Sequence, residues 1–107
     1  MGEYNYGQLL HGLVVGFAGH ITTSMTGITA RIKDGRLEVR VYFDKEPTPL
    51  DKEIAYMSVS EAQSQLAGFL DYHTDCIYMD RKLELADMLD FWFFLRYYGQ
   101  YEGMMDE

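Results

Sequence analysis

Five aspartates, Asp71, Asp75, Asp80, Asp87 and Asp90, fall in one short stretch of the chain together with His73 and Cys76. Paired carboxylates could do general acid-base work. His73-Thr74-Asp75-Cys76 could supply two zinc ligands, or a thiol nucleophile beside an imidazole. Each reading has a blander rival. The chain holds 17 Asp and Glu, so carboxylates pair by chance, and a solvated acidic rim explains these five as well. A closed zinc site needs two further ligands, and neither His11 nor His20 has a second histidine at ligand spacing. Nothing nearby in sequence orients His73, so a buried structural role suits Cys76 better. No metal or cofactor is expected. No phosphate-binding glycine loop, nucleophile elbow or paired-cysteine spacing occurs.

The second cluster is aromatic: Trp92, Phe94, Tyr97, Tyr98 and Tyr101. Stacked aromatics can bind bases, but only beside a basic groove. The formal net charge is −8, and residues 71–107 hold nine acidic side chains against Arg81, Lys82 and Arg96. Phosphate backbones demand clustered Lys and Arg, so direct nucleic-acid binding is not expected. Core packing accounts for Phe91 and Phe93. Trp92, Tyr98 and Tyr101 suit a protein interface, where a large contact area with a polar handle anchors a partner.

These residues need a scaffold, and the stretch from Gly27 to Pro49 specifies it. Ile28, Ala30 and Ile32 alternate with polar residues, as do Leu37, Val39, Val41 and Phe43, and Asp34-Gly35 lies between the two runs. Asp-Gly between alternating hydrophobics signals a two-residue hairpin turn. The register follows: Lys33 faces Arg36, Ile32 faces Leu37, Ala30 faces Val39 and Ile28 faces Val41. Arg31 then opposes Glu38 on the other face, which is expected to be solvated or to bind something polar.

A helix is expected over Tyr4 to Ala18, with Leu9, Leu10, Leu13, Val14 and Phe17 on one face and Gly19 as its stop. Gly7, Gly12 and Gly16 weaken it, or mark close packing against the sheet. Pro47 precedes a helix capped by Thr48 and opened by Pro49 and Asp51, with Leu50, Ile54, Met57, Ala62, Leu66 and Phe69 as its stripe. A second capping pattern at Ser58 and Glu61 allows a break, though one helix is favoured. Asp75 to Met79 reads as a short strand. Leu89 to Tyr98 reads as a long one, with Leu89, Phe91, Phe93, Leu95 and Tyr97 on one face and Trp92, Phe94, Arg96 and Tyr98 on the other. The fold class is α+β in the order α-β-β-α-β-β, an antiparallel four-stranded sheet with two helices packed on one face. Residues 1–107 are expected to form a single domain, with an ordered core over about 4–98 and a frayed acidic tail over 99–107.

One cysteine excludes an intramolecular disulfide framework, and no secretory leader pattern opens the chain. Leu9 to Ala18 is too short an apolar run to span a bilayer. A cytoplasmic protein without membrane contact is expected.

The sequence resembles small bacterial immunity proteins of contact-dependent growth inhibition systems. The resemblance runs through Gly27-Ile28-Thr29-Ala30-Arg31-Ile32, Tyr42-Phe43-Asp44-Lys45-Glu46-Pro47-Thr48 with Asp51, Cys76-Ile77-Tyr78, and Asp90 to Tyr98. It implies a non-enzymatic antitoxin, a monomer within a heterodimeric complex, that blocks the active site of a cognate C-terminal toxin domain. Such toxins are often nucleases, whose basic cleft an acidic inhibitor complements. The expected contacts are Asp71, Asp75 and Asp80 in an acidic loop, Asp87, Asp90, Trp92, Tyr98 and Tyr101. The alternative is a generic interaction domain that homodimerises through its aromatic strand.

Overall fold

The structure is a computed structural model and describes residues 6–66 and 71–96. In chain order it contains α1 (Tyr6–Phe17), β1 (Met25–Lys33), β2 (Arg36–Phe43), α2 (Pro49–Ser64), β3 (Asp71–Tyr78) and β4 (Phe91–Leu95). A single 3-10 turn, Leu85–Asp87, interrupts the segment between β3 and β4. The four strands form one sheet in the order β3-β2-β1-β4.

The hairpin has the register its alternation demands: Lys33 opposite Arg36, Ile32 opposite Leu37, Ala30 opposite Val39 and Ile28 opposite Val41. Asp34 and Gly35 take φ values of 54° and 72°, the left-handed pair that a tight hairpin turn requires. Ile28, Ala30, Leu37, Val39, Val41 and Phe43 are buried on one face with Leu9, Leu13 and Phe17 of α1 and Ala55, Val59 and Ala62 of α2, and Ile32 packs at the margin. Both helices therefore cover the same side of the sheet.

The sheet is mixed, which corrects the antiparallel expectation. β3 runs parallel to β2, from Arg36 opposite Asp71 to Phe43 opposite Tyr78. The 16 residues of α2 carry the chain back about 24 Å, close to the length of β2, so β3 starts at the same end of the sheet as β2. β3 is also longer than the expected Asp75 to Met79, and it takes Asp71 and Asp75 out of the loop assigned to them.

Thr48 caps α2 as expected: its hydroxyl accepts from the Asp51 amide at 3.0 Å, and the Asp51 carboxylate accepts from the Thr48 amide at 2.9 Å. The helix is unbroken. Ser58, offered as a second cap, donates instead to the Ile54 carbonyl at 2.7 Å, one turn back.

The buried faces of both helices differ from the expected stripes. Leu10 and Val14 on α1 and Leu50 and Met57 on α2 are exposed, whereas Gly12 and Gly16 meet Ser58 and Ala62 in the space between the helices. A Cβ on Gly16 would lie 2.3 Å from the Ser58 carbonyl oxygen, and one on Gly12 would lie 2.8 Å from that of Ala62. The helices pack through their small residues. His20, just beyond Gly19, ties the contact together, with Nδ1 2.9 Å from the Gly16 carbonyl oxygen and 3.1 Å from Ser58 Oγ.

The strand following the loop is shorter than Leu89 to Tyr98 and does not keep a simple alternation. Ile28 opposes Phe94 but Thr29 opposes Trp92, so Phe93 is the extra residue of a β-bulge. The bulge brings Phe91, Phe93 and Phe94 to the helix side, where all three pack on the core, and leaves Trp92 on the opposite face.

β1 has its own irregularity between Met25 and Gly27. Thr26 lies there with no exposed surface, and among the described residues its hydroxyl has no hydrogen-bond partner. A buried unsatisfied hydroxyl costs about 1–3 kcal/mol. Thr26→Val keeps the shape and removes that cost, so thermal unfolding should show a higher midpoint than the wild type. An unchanged or lower midpoint would mean that the hydroxyl is satisfied.

Candidate functional site

The sheet face away from the helices divides into two regions. At the hairpin end the side chains are charged and alternate in sign. The Arg31 guanidinium pairs with Glu38, and His73 Nε2 lies 2.8 Å from an Asp75 carboxylate oxygen. In the β2–β3 register, Asp71 stands opposite Arg36 and Asp75 opposite Arg40. A shallow cleft runs between Arg31, Glu38, Arg40, His73, Asp75 and Leu89. His73 and Asp75 have the geometry that orients a general base, but no hydroxyl or thiol lines this cleft to serve as nucleophile. Cys76 points to the helix side. Burial pushes its thiol up to about 11, opposed in part by Lys52, so it is protonated and inert near neutral pH.

At the other end, residues 79–90 cross the sheet and cover it. Leu83 and the Trp92 indole close over Gly27, whose missing side chain makes room for them. Tyr42 donates its hydroxyl to the Asp87 carbonyl at 2.7 Å, and Thr29 Oγ1 accepts from the Leu89 amide at 2.8 Å while donating to the Phe91 carbonyl. This face, expected to be solvated, is in this half a packed one.

Asp87 organises the crossing segment. Its carboxylate takes two hydrogen bonds from the Arg81 guanidinium, both at 2.9 Å, and one from the Glu84 amide at 2.7 Å. Only 8% of the residue is exposed. The Arg81 hydrogen bonds, helped by the Glu84 amide, hold its carboxyl below the usual carboxylate range despite burial. Asp87, expected at an interface, thus faces inward.

The other expected contacts separate. Asp71 and Asp75 are exposed on the β3 edge, and Asp80 is exposed where the crossing segment begins. Asp90 lies at the far edge of the sheet, exposed, accepting a hydrogen bond from the Tyr6 hydroxyl, whose own pKa it raises. Trp92 is half-buried, its ring 6.0 Å from that of Tyr42. Tyr98 and Tyr101 lie outside the described residues, as does the tail from 99 onward.

Three features went unread in the sequence. Leu85, 77% exposed, projects from the crossing segment between Glu84 and the inward-facing Asp87. Beyond the Arg31–Glu38 pair that the hairpin register already implies, Arg36 and Arg40 match Asp71 and Asp75 charge for charge. Tyr6 and Leu10 border a hollow with Asp90, Phe91 and Trp92. One signal for the last was available: no Asp, Glu, Lys or Arg occurs between Tyr4 and Ala30.

Among the described residues no three His, Cys, Asp or Glu side chains gather as a metal ion would need, and no helix is long and apolar enough to cross a membrane. A family model described as MafI2 immunity protein matches residues 6–98, a span that includes both helices and all four strands. Among curated proteins no match is found.

Proposed function

The chain belongs to the MafI2 immunity protein family, and from that premise we propose that it is a non-enzymatic antitoxin that binds a cognate toxin domain and blocks its active site. The proposed toxin is a nuclease of a contact-dependent growth inhibition system, met in the cytoplasm by one antitoxin chain per toxin domain. The observation that carries this reading beyond the family is the net charge of −8, which opposes nucleic acid and complements the basic cleft of an enzyme that binds it.

The proposed contact centres on the segment that crosses the sheet. Pairing of Arg81 with Asp87 neutralises one of its cations, while Asp80 and Glu84 stay exposed around Leu85. Asp71 and Asp75 extend the contact along β3. Asp90, Trp92, Tyr98 and Tyr101 complete the set at its border, and Asp87 supports the contact from within. An exposed apolar side chain inside an acidic rim is the arrangement that lets charge steer encounter and a central anchor slow release.

Co-expression with the toxin domain encoded beside it, scored by growth and co-purification, tests the function. The contact is tested by rates. Asp80→Lys should slow association by about tenfold at low salt, with the difference shrinking at high salt. Leu85→Ala should act on dissociation instead. Equal rates and equal salt dependence for both variants and wild type would remove this segment from the contact.

A further inference from the structure

The edge formed by α1 and β4 meets the contact proposed above only at its border, at Asp90 and Trp92, and it is unlike the rest of the molecule. Tyr6, Leu10 and Val14 succeed one another at four-residue intervals along the outer side of α1, with exposures of 55%, 46% and 52%, and Ile21 beyond the helix is 42% exposed. Residues at that spacing form one ridge on a helix. Beside the ridge, two hollows lie between α1 and β4. One is bordered by Tyr6, Leu10, Phe91 and Trp92, with Asp90 as its single charged residue, the other by Val14, Phe17, Ile21 and Phe93. Ridge and hollows form one apolar surface along the open side of β4.

Among the described residues β4 is an edge strand, since the sheet order places it beyond β1 with no described strand on its other side. Proteins ordinarily blunt such edges with charge. The opposite edge follows that rule, because β3 carries Asp71, His73 and Asp75. β4 does not: its sequence is Phe-Trp-Phe-Phe-Leu. An uncharged edge strand with an apolar helix above it has the form of half a sheet-and-helix seam.

We infer that a second copy of this chain closes the seam, with β4 pairing antiparallel to its counterpart and α1 packing across the two-fold axis on the second α1. Charge decides between a copy and a basic partner. Two chains of net charge −8 repel wherever their acidic surfaces approach. The α1–β4 edge is where that repulsion is least, because α1 has no charged residue and the charged residues flanking β4 are Asp90 and Arg96, the latter paired with Asp44. A basic toxin would gain nothing electrostatically from this edge. A two-fold axis also meets every requirement at once: it pairs an edge strand with one of equal length and sets an identical ridge against each hollow. The free protein is then a dimer with an eight-stranded sheet, in place of the monomer expected from the sequence, and both crossing segments stay accessible to toxin.

Sedimentation velocity of the purified full-length chain tests this. The wild type should sediment as a dimer in the micromolar range. Val14→Lys, at an exposed helical position that tolerates lysine, should raise the dimer dissociation constant by about tenfold or more while keeping the circular dichroism spectrum, because each dimer carries the substitution twice. Asp75→Asn on the β3 edge should leave it unchanged. A monomeric wild type, or a dimer indifferent to Val14→Lys, overturns the inference. So does a monomeric wild type whose toxin binding is lost in Val14→Lys, which would give this edge to the toxin.

Discussion

Gly16→Val should leave the protein unfolded at room temperature, and Gly16→Ala should lower its stability by about 3 kcal/mol. Replacing a helical glycine with alanine ordinarily stabilises by up to about 1 kcal/mol, so the expected change is opposite in sign to helix propensity. The reason is the neighbour. A Cβ at Gly16 would meet the Ser58 carbonyl oxygen at 2.3 Å, the Ala62 amide nitrogen at 2.8 Å and the Ala62 Cβ at 2.9 Å. Two of these are backbone atoms of α2 and cannot swing aside as a long side chain can. The helices would have to separate, opening the core between Leu13, Phe17, Val59 and the sheet. Gly12→Ala meets one close atom, the Ala62 carbonyl oxygen at 2.8 Å, and should cost less. Urea unfolding of the three variants checks the order. A Gly16→Ala protein as stable as wild type would show that the helices do not approach this closely.

Asp87→Asn should destabilise the protein by about 2 kcal/mol at pH 7, because charge-assisted hydrogen bonds to a shielded carboxylate are lost and Arg81 is left without its partner. Its signature is a pH dependence. The Arg81 hydrogen bonds hold the folded-state pKa of Asp87 below the ordinary aspartate value of 3.8, so the unfolded chain takes up the proton first as pH falls. The contribution of Asp87 is therefore fully present above pH 3.8 and is lost as pH drops through the lower folded-state value. The stability gap between wild type and Asp87→Asn should be constant from neutral pH to about pH 5 and close below 3.8. Urea melts across that range measure it. A gap that persists in strong acid would assign the loss to packing instead of charge.

What the sequence made legible was local. The Asp34-Gly35 hairpin, the Thr48 cap with Asp51 and the Gly19 stop, at φ 74°, each depend on a few adjacent residues, and each is present. What it concealed depends on contacts between distant elements. Leu10 and Val14 fit a buried stripe by spacing, but glycine has no side chain to register as apolar, so the close approach through Gly12 and Gly16 left no periodic trace. The direction of β3 follows from the length of α2, not from any residue in β3. A single extra residue at Phe93 exchanges the faces of everything after it. Asp80 and Asp87 are the same residue type in the same acidic stretch, and only the position of Arg81 in space separates an exposed carboxylate from a buried one. The family itself was legible, because its pattern runs through the hairpin and the cap, where local chemistry is strongest.

The strand order β3-β2-β1-β4 also sets an order of assembly. The central pair of the sheet is the hairpin, whose strands are joined by two residues, so this pair should close first and with the least loss of entropy. β3 joins through the span of α2. β4 must find β1 across a separation in which Ala30 meets Phe91. Long closures are slow, and strands added last are the first to leave. Hydrogen exchange should therefore find the amide protons of β1 and β2 the slowest, and those of β4 and the segment pinned by Asp87 faster, opening at lower free energy. Leu85 and Trp92, placed at partner surfaces, lie on that less stable unit, and the hairpin beneath them should keep its shape whether or not they are occupied.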